Sequence, residues 1–197
     1  MALTAPAEDA AVFLDKDGTL IEDVPFNVDP ERIRLAPGAG PALRTLAERG
    51  YRLVLVSNQP GVAYGLYDER DLSRVEERLR LALSPFGVTL DACLWCPHAP
   101  ADGCGCRKPA PGLLMRASRE LGIDLERSWL VGDILDDVEA GRTASCRTVL
   151  LDVGSETEWN VTPGRIPDRV VPDLPSAARS IVTRMPAQPF LMGRGAT

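Results

Sequence analysis

Two acidic runs and one cysteine-rich loop hold most of the residue types that can do chemistry in this chain. The first run is Asp15-Lys16-Asp17-Gly18-Thr19. Carboxylates at i and i+2 point to the same side of an extended chain, and Gly18 permits the sharp turn that so close a pair needs. A divalent cation is a natural way to hold two acids together. A polar turn capping a strand would account for an isolated pair of this kind. Here there are partners downstream: Ser57-Asn58-Gln59, Arg107-Lys108-Pro109, and Gly132-Asp133 followed by Asp136-Asp137.

The cysteine loop carries Cys96-Pro97-His98 and then Cys104-Gly105-Cys106. Sets of this kind bind tetrahedral zinc, and four protein ligands leave no position open for water, so such a site is structural. Reduced surface thiols are the alternative, but the chain's sole histidine, His98, sits among these cysteines. That histidine count also excludes any mechanism needing two. Cys93 is a rival ligand by its spacing from Cys96, although its expected place mid-strand suits a small apolar residue. Cys146 has no partner in sequence and is expected in the core.

These residues must be positioned by regular elements. Short apolar runs at Ala11–Asp15, Tyr51–Ser57, Asp91–Cys96, Trp129–Gly132, Thr148–Asp152 and Val170–Val171 read as strands. Helices are expected over Gly38–Arg49, from an Asp68 N-cap through the stripe Leu72, Val75, Leu79 and Leu83, from Pro111 to Gly122, over Asp136–Arg142, and near Pro175–Val182. Strands alternating with helices imply an α/β fold with a doubly wound, mostly parallel sheet. Ligands of such sheets sit beyond the carboxyl ends of the strands, which is where Asp15, Ser57 and Asp133 fall. We expect one domain over residues 1–185, with the zinc loop at 96–106 and a disordered tail at 186–197.

Hydrophobic residues make up 45% of the chain and charged residues 25%, and the formal net charge is -6. That balance suits a globular protein and repels nucleic acid and anionic lipid. Met1–Ala10 lacks a basic stretch followed by an apolar run, and no apolar run is long enough to span a bilayer. The expectation is a cytoplasmic monomer acting on a small molecule, with no nucleic-acid or membrane partner.

Taken together and in order, the four motifs DxDGT, SNQ, RKP and GD resemble the haloacid dehalogenase (HAD) superfamily of aspartyl phosphotransferases, over about Val12 to Asp152. The resemblance implies a HAD-like Rossmannoid fold and a magnesium-dependent phosphatase. It makes Asp15 the nucleophile, Asp17 the acid and then base, Ser57 a hydrogen-bond donor to the phosphoryl group and Lys108 its neutralising charge. Asp15, Asp133 and the main-chain oxygen of Asp17 would bind magnesium. Similar proteins often carry an acid near Asp136 and Asp137 that orients the lysine or supports the metal. The first turn of a helix also favours acids, so these two are left undivided. The CxH…CxCRKP pattern narrows the resemblance to the subfamily containing D-glycero-D-manno-heptose 1,7-bisphosphate phosphatase and the histidinol-phosphate phosphatase domain. It implies structural zinc on Cys96, His98, Cys104 and Cys106.

The intervals between motifs are too short for a separate cap, so the site should be capless, with selectivity left to loops Glu22–Asp29, Gln59–Asp68 and 97–108. Asn58, Gln59 and Arg107 are expected on the substrate, and Tyr64 and Tyr67 either wall it or pack the loop. Heptose 1,7-bisphosphate is the first candidate substrate, with hydrolysis at the 7-phosphate. Histidinol phosphate or another sugar phosphate is the alternative. A zinc-stabilised binding module without activity is the reading from a different class, and the presence of Asp15, Asp17, Lys108 and Asp133 opposes it.

Overall fold

A computed structural model describes residues 9–183. The expected tail at 186–197 and the ends of the expected domain lie outside the described residues. In chain order the main elements are β1 (Ala11–Leu14), α1 (Ala39–Ala47), β2 (Arg52–Asn58), α2 (Glu69–Leu83), β3 (Ala92–Cys96), α3 (Gly112–Leu121), β4 (Trp129–Gly132), α4 (Leu135–Thr143), β5 (Arg147–Leu151), β6 (Arg169–Val171) and α5 (Leu174–Thr183).

Among the described residues the strands form one sheet of order β3-β2-β1-β4-β5-β6, with every neighbouring pair parallel. Parallel strands need covering on both faces, which is why their sequences read as continuous apolar runs. Side chains still alternate between the faces. Val12, Leu14, Leu53, Leu55 and Val131 pack with α1, α2 and α5. Ala11, Phe13, Val54, Val56 and Leu130 pack with α3 and α4 on the other face. The sheet is therefore doubly wound, as the sequence implies.

The helix signals are met within a residue or two. Asp68 caps α2 by accepting from Arg70 and Asp71, and the Asp71 side chain accepts from the Asp68 backbone in return. The helix expected to begin at Asp136 begins at Leu135, because the Ile134 N–H turns back onto the Asp137 carboxylate. No helix among the described residues is long and apolar enough to cross a membrane.

Strand order decides where the site lies. The chain steps outward from β1 to β2 and β3, then returns to the other side of β1 as β4. The switch point falls between β1 and β4, and crevices that hold ligands open there. Asp15 follows β1 with its N–H on the Val131 carbonyl at 3.0 Å, and Asp133 follows β4. The segments that join β1, β2 and β3 to their following helices hold nothing longer than the 3-10 turns Pro30–Arg32 and Pro100–Asp102.

Phe13, wholly buried in β1, tests this packing. Phe13→Ala should cost ~3–5 kcal/mol, seen as a lower denaturant midpoint with an unchanged slope; an unmoved midpoint would contradict it.

Candidate active site

Lys108 lies in the loop before α3 and is 2% exposed. Its ammonium group reaches Asp15 Oδ1 at 2.5 Å, Asp137 Oδ1 at 2.6 Å and the Val56 carbonyl at 3.1 Å. Lysine has three donors, so its capacity is filled and its direction fixed. Burial alone would pull the Lys108 pKa down. The charges of Asp137 and Asp15 outweigh burial and raise it, so the group stays an ammonium ion.

The acids around it are in excess. Asp15, Asp133 and Asp137 each offer an oxygen within 4.8 Å of the others. Burial, with the charges of Asp15 and Asp137 added, pushes Asp133 up to about 7. Burial also pushes Asp137 up to about 6, against the pull of Lys108. Three buried carboxylates and one lysine leave a deficit of positive charge. A hard divalent cation that takes oxygen ligands fits that deficit.

Two glycines let these acids come together. Gly18 has φ +74, and a Cβ there would stand 2.0 Å from Asp133 Oδ2. A Cβ on Gly132 would stand 2.2 Å from Asp137 Cγ. The Thr19 hydroxyl donates to Asp133 Oδ1 at 3.2 Å.

Asp17 faces a second group of side chains. It pairs with buried Lys16 at 2.9 Å. Burial raises its pKa, Lys16 opposes this, and the charge of Asp15 adds to it. Gln59 Nε2 donates to Asp17 Oδ2 at 3.2 Å and to Ser57 Oγ at 2.9 Å, while the Tyr67 hydroxyl donates to Gln59 Oε1 at 2.6 Å. Tyr67 is buried against Gly61, where a Cβ would meet its ring at 2.2 Å.

The structure thus brings Asp15, Asp17, Ser57, Lys108 and Asp133 to one edge of the sheet. It places other residues in ways their types did not reveal. Asn58, expected on the substrate, uses both ends of its amide on Lys108: its Nδ2 donates to the Lys108 carbonyl at 3.0 Å and its Oδ1 accepts the Lys108 N–H at 2.9 Å. Gln59 links Asp17 to Ser57. Arg107 is partly buried, and its Nη1 has no hydrogen-bond partner among the described residues. Asp137 takes the lysine, whereas Asp136 pairs with Arg165 at 2.8 Å, outside the site. The loop after β5, to which the sequence assigned no role, also contributes. The Ser155 hydroxyl hydrogen-bonds Asp133 and lowers its pKa, and Glu156 Oε2 accepts the Leu135 N–H at 2.8 Å at the start of α4. No sequence signal marks these two, because they act from across the sheet edge.

The cysteine loop closes on itself. Cys96 Sγ lies 3.2 Å from Cys106 Sγ and 3.6 Å from Cys104 Sγ, and His98 Nδ1 lies 3.3 Å from Cys106 Sγ and 3.6 Å from Cys96 Sγ. Tetrahedral ligands with bonds near 2.3 Å stand about 3.8 Å apart, so a zinc ion fits with small outward shifts. Burial tends to raise the Cys104 thiol, but backbone N–H groups of Arg107 and Cys106 outweigh it and bring it down to about 7. Cys93 stays apart, packed against the opposite core layer and pushed up to about 12 by burial. Cys146 is buried in the core.

Comparison with known proteins agrees with this geometry. Residues 105–177 match the HAD-hydrolase-like family model. The D-glycero-β-D-manno-heptose-1,7-bisphosphate 7-phosphatase of Photorhabdus laumondii is 38% identical over 181 residues, covering 87% of this chain and 96% of that protein. The same-named protein of Bordetella bronchiseptica is 34% identical over 174 residues, covering 87% and 97%. The crystal structure of the B. bronchiseptica D,D-heptose 1,7-bisphosphate phosphatase with magnesium and phosphate matches with a TM-score of 0.79 at 31% identity, over 89% of this chain and 99% of that one. A HAD-like phosphatase from Mesorhizobium loti matches at 0.74 and 34% identity, over 90% and 88%.

A parallel doubly wound sheet, with carboxylates around a buried lysine at its switch point, defines the class. The chain belongs to the HAD-like hydrolases, in one family with these heptose bisphosphate phosphatases, and is a phosphoric monoester hydrolase.

Asn58→Ala removes both bonds that hold the Lys108 backbone. A misplacement of ~1 Å can cost ~100-fold in rate, so kcat should fall by about that much while the folded structure survives. Steady-state kinetics beside circular dichroism checks it, and unchanged turnover would remove the positioning role.

Proposed function

We propose that this phosphatase hydrolyses the 7-phosphate of D-glycero-D-manno-heptose 1,7-bisphosphate through an aspartyl-phosphate on Asp15, with magnesium at the acidic group and structural zinc in the cysteine loop. The single observation that carries the reading is the Lys108 ammonium fixed between Asp15 and Asp137, with Asp133 alongside. The names of the relatives support the substrate, and the magnesium and phosphate of the B. bronchiseptica structure support the metal.

Phosphoryl transfer needs positioning and neutralisation of spreading charge more than covalent assistance. Asp15 attacks phosphorus, and an acyl phosphate forms as the bond to the sugar oxygen breaks. Asp17, whose pKa burial raises, gives that oxygen its proton. Asp17 then takes a proton from water, and the water attacks the acyl phosphate to release phosphate and restore Asp15. Splitting the reaction in this way replaces one difficult step by two easier ones. Gln59 holds Asp17 and Ser57 in register, so the Ser57 hydroxyl is set to donate to the phosphoryl oxygens. Lys108 carries charge against those same oxygens. Bound by Asp15, Asp133 and the main-chain oxygen of Asp17, magnesium supplies the positive charge that offsets repulsion between Asp15 and an anionic phosphate.

Zinc on Cys96, His98, Cys104 and Cys106 does no chemistry in this reading. It holds the chain immediately before Arg107 and Lys108. Gly105, between two of the ligands, accepts from the Gly112 N–H at 3.0 Å at the start of α3.

The test is phosphate release from a panel of phosphorylated metabolites with magnesium present. Heptose 1,7-bisphosphate should be the fastest, leaving the 1-phosphate, and chelation should stop the reaction reversibly. Asp15→Asn should reduce it to background. A preference for histidinol phosphate would overturn the substrate assignment, and an active Asp15→Asn would overturn the nucleophile.

Zinc has its own test. Elemental analysis should find about one zinc per chain, the number one four-ligand site holds. Cys104→Ser should lose it, lower the melting temperature, since metal binding is linked to folding, and cut kcat by ~100-fold through Lys108. Wild-type kinetics in a zinc-free variant would show the loop to be a peripheral clip.

A further inference from the structure

Two loops are rooted on Asp17. The loop at 22–29 leaves Ile21, whose backbone bridges to Asp17 and whose carbonyl accepts the Gly18 N–H at 3.0 Å. The loop at 59–67 begins with Gln59 on the Asp17 carboxylate and ends with Tyr67 on Gln59. The loops meet through Phe26 and Tyr64, edge to face, with ring centroids 6.2 Å apart and planes at 65°. Phe26 is 51% exposed and Tyr64 52% exposed, and they are the exposed aromatic rings among the described residues. Every other aromatic side chain described is at least partly covered.

Folding does not explain this pair. Phe26 has φ 53, in the left-handed region. A bulky residue is disfavoured there, and glycine or asparagine would sit better. A ring left half in water recovers little by burial, and one edge-to-face contact adds little more. Strain held at an exposed aromatic, on a loop rooted at Asp17, points to a use outside folding.

We propose that Phe26 and Tyr64 form one wall of the leaving-group subsite and bind the apolar C–H face of a ring-form sugar phosphate. Aromatic faces are electron-rich and apolar, and one face of a sugar ring presents C–H bonds of the matching character. Arg107 directly precedes Lys108, and its buried Nη1, without a hydrogen-bond partner among the described residues, is free to meet the polar edge of such a ring. The subsite therefore selects for a ring with an apolar face and acceptors at its edge, over a flexible charged chain. This rests on the proposed departure of a sugar oxygen from phosphorus at Asp15, and it holds for whichever ring-form sugar phosphate is the substrate.

The experiment compares wild type with Phe26→Gly, Tyr64→Ala and Tyr64→Phe, on heptose 1,7-bisphosphate and on acetyl phosphate, which has no ring. Phe26→Gly should melt no lower than wild type, because glycine accepts the left-handed backbone. With Tyr64→Ala it should raise KM for the sugar phosphate about tenfold, the loss expected for one aromatic contact face. In both, kcat should hold and kcat/KM for acetyl phosphate should not move, and Tyr64→Phe should behave as wild type. An unchanged sugar KM, an equal loss on acetyl phosphate, or a Phe26→Gly variant that only loses stability would overturn the wall. If wild type ignores heptose bisphosphate but hydrolyses another ring-form sugar phosphate, the named substrate falls and the same comparison is run on that sugar. If it hydrolyses acetyl phosphate and no ring-form sugar phosphate, the wall falls and the phosphatase stands.

Discussion

The Lys108 ammonium buried between Asp15 and Asp137 constrains the rest of the molecule. A buried charge is tolerated only when its partners are in place, and removing one partner of such a set costs ~3–5 kcal/mol. The partners here come from separate elements: Asp15 from the end of β1, Asp137 from the first turn of α4, and the Val56 carbonyl from β2. Any change that shifts these elements relative to one another exposes an unpaired charge. The lysine thereby couples the integrity of the fold to the position of Asp15. The same arrangement leaves the carboxylates in excess, and a cation held by Asp15 and Asp133 would offset that excess.

Holding Lys108 requires holding its backbone, and two features converge on it. Asn58 clamps its N–H and carbonyl. Asn58 is itself the register partner of Cys96 at the ends of β2 and β3, so the first cysteine of the loop and the residue that grips the lysine sit side by side on the sheet. Cys106 lies two residues before the lysine. A metal joining Cys96 to Cys106 would close a short circuit of chain through Asn58 and Lys108. Organisation of this kind stabilises the site without contributing a reacting group.

The site carries no separate cap, because the connections after β1 and β2 hold nothing longer than a 3-10 turn. Without a cap, the surroundings of the leaving group are built from loop residues, and those loops are pinned at their roots by Asp17 and Gln59. The polar links at the roots run from Gln59 to Asp17, Ser57 and Tyr67, while Phe26 and Tyr64 further out are half exposed. Polar bonding is thus concentrated at the phosphate end, and exposed apolar surface at the far end.

The sequence by itself determined the layered α/β fold, the strands and helices to within a residue or two, and the grouping of Asp15, Ser57 and Asp133 at one sheet edge, to which Lys108 was added through the family resemblance. It could do so because both-face burial leaves continuous apolar strands, amphipathic helices leave a periodic stripe, and a strand's end directs the next residue into the crevice. The clustering of Cys96, His98, Cys104 and Cys106 was legible for a similar reason, since all four lie in one short loop. Only the tertiary structure separated Asp136 from Asp137, which are adjacent in sequence but about 100° apart around a helix, so that one meets the lysine and the other meets Arg165. It also turned Asn58 inward onto Lys108, tied Tyr67 to Gln59 while leaving Tyr64 exposed, and brought Ser155 to Asp133. Those outcomes depend on which distant backbone lies within hydrogen-bond reach, and that is set by the packing of segments far apart in the chain, which residue type and local spacing do not encode.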